Sequence, residues 1–218
     1  MRRQIRGLTQ AAANAQDGIS CVQTAEGALA EVHDMLQRIN ELAVQSANGT
    51  NMSKDRKYLD AEVQQLTDEI NKVADSVTFN EQKLLDGKFD TTLQVGSEKG
   101  NELAIKIDAM DASTLGVGSI NIKEADTAKD AIDSVKSALE KVSAQRADLG
   151  AIQNRLEHKI SNLDNIVENT TAAESRIRDT DMASEMVKFT NNNVLAQAGT
   201  SMLAQANQSN QSVLSLLQ

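Results

Sequence analysis

Over three long stretches the apolar residues of this chain return every three or four positions, and no proline interrupts them anywhere in 218 residues. Average usage of about 5% would place roughly eleven prolines in a chain of this length. Proline breaks helix interiors, so its absence leaves helices free to run on, while the spacing gives each of them one apolar face. The first stretch carries Ile5, Leu8, Ala12, Ala15, Ile19, Val22, Leu29, Val32, Leu36, Ile39 and Ala43. It predicts one helix over about 3–47, roughly 65 Å long. Gly7, Gly18 and Gly27 each weaken it by up to ~1 kcal/mol relative to alanine, and each lets a neighbour come close. Asn48-Gly49-Thr50-Asn51 ends it in a turn.

Ser53 is the expected N-cap of a second helix over about 54–77, with Leu59, Val63, Leu66, Ile70, Val73 and Val77 in a four-three heptad alternation. The third stretch runs from Ala128 through Val135, Val142, Leu149, Leu156 and Leu163 to Ile177. It predicts a helix over about 127–178, roughly 75 Å long. Between the second and third helices, TTLQV and ELAIKID alternate about a polar link, which predicts a β-hairpin over about 91–108. Two strands alone are marginal, so the hairpin must rest on the helices, and one end of them is the expected place. The predicted fold is mainly α: an elongated, antiparallel, coiled-coil-like rod of three long helices, a small β-hairpin and a C-terminal helical extension. Residues 1–181 form the rod and 182–218 the extension, with Asp179-Thr180-Asp181 offering the N-caps.

The composition suits that fold. Three Phe, one Tyr and no Trp leave Leu, Ile, Val, Ala and Met to fill any interior, which fits thin helix–helix seams better than a thick globular core. A net charge of −9 disfavours nucleic acid and anionic membrane as partners. MRRQIRGLTQ has a basic opening without a following apolar run, so it does not read as a secretory signal. Cys21, the single cysteine, excludes an internal disulfide and reads as a small seam residue.

The end of the chain is unusual. All 22 Lys and Arg and all 31 Asp and Glu lie in the first 188 positions, so Phe189 to Gln218 is uncharged. Leu195, Ala198, Met202, Ala206, Val213 and Leu217 fall on one face of a helix there, opposite Gln, Asn, Ser and Thr. A helix without charge on its polar side suits a place among copies of itself or inside a partner.

Motifs for chemistry are missing. His33 and His158 sit on different predicted helices, no His-Glu-x-x-His, Cys-x-x-Cys or acidic calcium loop occurs, and Gly116-Val117-Gly118 has no strand before it and no lysine partner. A narrow rod also offers little concave volume for a substrate. The expectation is a protein that is no enzyme and binds no cofactor or metal.

Five blocks resemble bacterial flagellin, in that family's order: QDGISCVQTAEGALAEVHDMLQRINELAVQSANGTN (16–51), FNEQKLLDG (79–87), QRADLGAIQNRLEHKISNL (145–163), AAESRIRDTDMA (172–183) and AQAGTSMLAQANQSNQSVLSLLQ (196–218). MRRQIRGL and AAESRIRDTDM are most similar to flagellins of Gram-positive bacteria. The resemblance implies a secreted structural subunit of the flagellar filament, exported through the flagellar type III apparatus for motility. Residues 182–218 would then be the C-terminal helix of the filament's inner core. Flagellins usually carry a further N-terminal helical segment that pairs with that helix, and variable outer domains. The resemblance implies that the former is lacking here, with poor polymerisation by this chain alone, and that the latter is reduced to roughly 108–127. The implied partners are other flagellin subunits, a flagellar secretion chaperone and Toll-like receptor 5. Leu195, Met202, Leu203, Val213, Leu214 and Leu217 would carry assembly or chaperone contacts. Arg38, Leu42, Gln45 and Glu69 match the receptor-binding positions. From the residues alone, Leu42 could equally be seam and Arg38 could pair with Glu69 across two helices. A hook–filament junction protein, or another secreted coiled-coil interaction module, is the alternative reading.

Overall fold

The computed structural model describes the backbone of residues 1–216 and the side chains of residues 1–209. Its elements are α1 (Arg2–Ala47), α2 (Ser53–Ser76), β1 (Thr78–Phe79), β2 (Gln82–Lys83), β3 (Asp90–Gln94), β4 (Glu102–Lys106), α3 (Ala112–Leu115), α4 (Ala125–Arg178) and α5 (Met182–Leu216). Two compact units result, Met1–Thr170 and Thr171–Gln218. The three long helices and the hairpin lie within a residue or two of where periodicity predicts them. Ser53 is the first helical residue rather than the cap: Met52 takes the capping position, and its N–H donates to the Asp55 carboxylate at 3.2 Å.

In the first unit α1 is antiparallel to both of its helical neighbours. Against α2, Arg38 meets Glu62 and Arg56 reaches the carbonyl of Ser46. Against α4, Glu26 faces Arg146, Ile19 packs in one cluster with Leu156, and Leu8 with Leu163. In that register the first residue of α1 stands opposite roughly residue 170, where the compact unit ends. The predicted stripe of α1 is buried from Leu8 to Ala43, apart from half-buried Ala12. A second row, Ala11, Cys21, Ala25, Leu42 and Ser46, is buried too. One apolar face serves one neighbour, whereas α1 serves α2, α4 and the hairpin, and therefore needs two.

β3 and β4 pair antiparallel, Thr91 opposite Ile105 and Leu93 opposite Leu103. The hairpin lies along the flank of α1 rather than at an end of the helices. Gly18 lets it come close: a Cβ there would lie 2.2 Å from Leu93 Cδ1, so that leucine's end would have to turn aside. A second, smaller hairpin, β1 with β2, turns through Asn80 and Glu81, both at positive φ.

The segment 108–124 packs into the main core of the first unit. Met110, Ala112, Leu115, Val117, Ile120 and Ile122 are all buried in the main core. Asp111 caps α3 by accepting from the Ser113 and Thr114 N–H groups and from Thr114 Oγ1 at 2.6 Å. Gly116 ends α3 in the left-handed region at φ +85°, which costs glycine nothing. The segment is then strapped to the α1–α2 corner. Buried Asp60 accepts from the Ile122 N–H at 3.1 Å, Gln64 donates to the Ile120 carbonyl at 2.8 Å, and Ser46 Oγ donates to the Ile122 carbonyl.

In the second unit Asp181 is the N-cap of α5, accepting from the N–H groups of Ala183 and Ser184 at 3.0 and 3.3 Å. Those bonds and one from Ser184 Oγ, the largest influence, hold its carboxyl below the usual carboxylate range. Ile177, placed by periodicity on the seam stripe of α4, is instead 72% exposed.

Candidate interaction surfaces

Two surfaces collect the residues singled out by sequence. The first is the edge of the α1–α2 seam. Arg38 donates from Nε and Nη2 to Glu62 Oε1 at 3.0 and 2.9 Å, and from Nη1 to Glu41 Oε2 at 3.0 Å. The two carboxylates push the already basic guanidinium pKa higher still, the Glu41 hydrogen bond contributing most. Glu69 pairs with Lys72 of its own helix at 3.0 Å, so the Arg38–Glu69 ion pair does not form. Antiparallel register explains this. Arg38 faces residue 62, and Glu69 lies two turns further on, roughly 10 Å away.

That same register aligns the exposed members of the set. Gln45 follows Arg38 by seven residues on α1, and Glu69 follows Glu62 by seven on α2, so each pair keeps to one side of its helix. Gln45, Arg38 and Glu69 thus lie in that order along one edge, spanning roughly 20 Å. Leu42 is the exception. At 1% exposure it is enclosed in the main core and belongs to the seam.

The second surface is α5. Leu195, Met202 and Leu203 are 68, 67 and 66% exposed. The side chains of Val213, Leu214 and Leu217 lie outside the described residues. Exposed apolar residues are not confined to the predicted stripe: Met186, Val187, Phe189 and Val194 are exposed as well, on its other faces. A helix that is apolar on several sides and carries no charge beyond Lys188 is suited to being surrounded. Reading only three- and four-residue steps missed these four; counting large apolar residues per turn finds them.

Elsewhere the chemistry is sparse. Cys21 is buried at the α1 seam, and desolvation raises its thiol pKa, which leaves little nucleophilic thiolate. Among the described residues no group of three or more His, Cys, Asp or Glu is placed to hold a metal, and no helix is long and apolar enough to cross a membrane.

Known proteins share this arrangement. Residues 1–90 match the bacterial flagellin N-terminal helical region, and residues 132–217 the bacterial flagellin C-terminal helical region. A flagellin of Halalkalibacterium halodurans is 54% identical over 220 residues, covering 100% of this chain and 81% of that protein. The chain belongs to the bacterial flagellin family. A flagellin of Bacillus subtilis is 47% identical over 252 residues, covering 100% of this chain and 83% of that one. The crystal structure of Bacillus cereus flagellin superposes with a TM-score of 0.64 at 33% identity, over 74% of this chain and 94% of that one. As a flagellin the chain is a structural protein of the extracellular flagellar filament. Residues 91–131, which neither family region covers, hold most of the larger hairpin, the strapped segment and the first turns of α4.

Proposed function

We propose that this flagellin self-assembles into the flagellar filament that drives motility, and that α5 enters the contacts between copies. One observation carries the reading: Leu195, Met202 and Leu203 stand exposed on a helix with no charge beyond Lys188. Burying such a side chain stabilises by roughly 1.5–3 kcal/mol, and a filament collects that gain in every subunit. No like charges would be stacked along the filament axis, where repulsion would repeat at each copy. A secretion chaperone would use the same helix before assembly, in the helix-in-groove mode. Electron microscopy of the purified protein tests assembly directly: helical filaments are expected, against the poor polymerisation that the resemblance implies for this chain alone, and soluble monomers at every salt concentration would overturn it.

A second role is supported by the aligned edge of the α1–α2 seam. Toll-like receptor 5 would meet Arg38, Gln45 and Glu69, with Leu42 acting from beneath to hold the helix surface in place. Arginine is enriched among residues that anchor interfaces, and this one is held rigid by two carboxylates. Replacing Arg38 and Glu69 together by alanine should weaken binding to the receptor ectodomain at least tenfold while the helical signal in circular dichroism stays unchanged. Unaltered affinity would remove the receptor from the account.

A further inference from the structure

Around residues 155–164 the two flanks of α4 carry opposite charge, and among the described residues neither forms an ion pair. On one side a groove of about 460 Å³ runs between α4 and the larger hairpin. Val95 and Leu103 form its apolar floor, Arg155, His158 and Lys159 line one wall, and Glu102 lies opposite. On the other side a groove of about 540 Å³ runs between α4 and α1, floored by Ile19 and Ile160, with Glu157 and Asp164 on its wall. None of Arg155, His158, Lys159, Glu102 or Asp164 makes an ion pair or side-chain hydrogen bond among the described residues. Glu157 accepts only from Gln153 of its own helix, at 3.0 Å.

The spacing on each flank runs against helix stability. Arg155 and Lys159 are like charges four residues apart, and so are Asp164 and Glu168. Such pairs repel along a helix surface, and among the described residues no ion pair offsets them. Copies with a net charge of −9 also repel one another overall, so association needs local complementarity.

We infer that a second copy of this chain docks its acidic α4 flank, through Glu157 and Asp164, into the basic groove of Arg155, His158 and Lys159. This rests on the filament reading and names a contact within it. Because the two surfaces lie on opposite sides of one helix, the contact is heterologous: each copy offers a free groove and a free flank to the next, and the chain of copies remains open.

The test uses two charge-reversed proteins, Arg155→Glu/Lys159→Glu and Glu157→Lys/Asp164→Lys. All four positions are exposed or half-buried, so each variant should keep the helical signal and unfolding midpoint of the unmodified protein. Alone, each presents like charge on both flanks and should lose at least tenfold in sedimentable filament. Mixed in equal amounts they become complementary again and should recover to within twofold, as should one chain carrying all four changes. Variants that assemble like the unmodified protein, or a mixture no better than its parts, would overturn the interface. Absence of filaments from the unmodified protein would instead overturn the filament reading. Sedimentation velocity of the mixture then still decides the contact, because the mixed variants should associate and neither variant should do so alone.

Discussion

Gly18 and Gly27 look alike in the sequence, each a weak point in a long helix, yet they do different things. Gly18 faces Leu93, whose Cδ1 would have to move for a methyl group to fit, whereas nothing lies within 4 Å of a Cβ built at Gly27. Gly27→Ala should therefore stabilise by roughly 0.5–1 kcal/mol, the helix-propensity gain alone. Gly18→Val should destabilise by about 1–3 kcal/mol through overpacking against the hairpin. Thermal unfolding of the two variants checks this, and equal shifts would show that the hairpin does not seat on Gly18. Asp60 offers a second contrast. Asp60→Ala removes the acceptor of the buried Ile122 N–H and should cost roughly 1–3 kcal/mol, while Asp68→Ala on the exposed face should cost almost nothing. The sequence marks neither aspartate, because what separates them is a partner 62 residues away. Leu42 belongs with these cases: its spacing from Arg38 fits a surface epitope, but the second buried row of α1 claims it.

At the scale of elements, helices were legible and their supports were not. Periodicity in α1, α2 and α4 reports burial against a neighbour, and an unbroken pattern without proline has few alternatives. α3 and the strapped segment 108–124 gave no such signal. Four helical residues are too few to show a period, and their buried apolar residues are held by a carboxylate cap and by side chains from α2. The Thr114 hydroxyl, the largest influence, and nearby backbone N–H groups hold the Asp111 carboxyl below its ordinary range. A depressed value fixes the sign: the cap contributes fully above the unfolded carboxylate range and is lost as pH falls through the lowered native value. The same holds for Asp181 at the start of α5. Amide signals of Ala183 and Ser184 should therefore lose their helical shifts between about pH 5 and about pH 2. Asp181→Asn keeps a capping oxygen that does not titrate, and should abolish that transition. A transition surviving in the asparagine variant would assign it to another group.

For the whole molecule, the distribution of charge says more than its total. Every ionisable Lys, Arg, Asp and Glu precedes Phe189, so the last helix beyond Lys188 is left to apolar and hydrogen-bonding contacts. The neutral tail, its order after the rod and the family membership were all readable from the chain; the spread of apolar residues beyond one stripe of α5 escapes three- and four-residue steps, although a count of large apolar residues per turn carries it. The central claim is that α5 is held among neighbouring subunits in the filament, and inserting charge there tests it most directly. Met202→Glu with Leu203→Glu leaves both positions in an exposed helix of the free subunit, so folding should be unaffected. Measured by sedimentation and electron microscopy, filament yield should fall at least tenfold relative to the unmodified protein. Filaments of normal yield and diameter from the doubly charged variant would contradict the account.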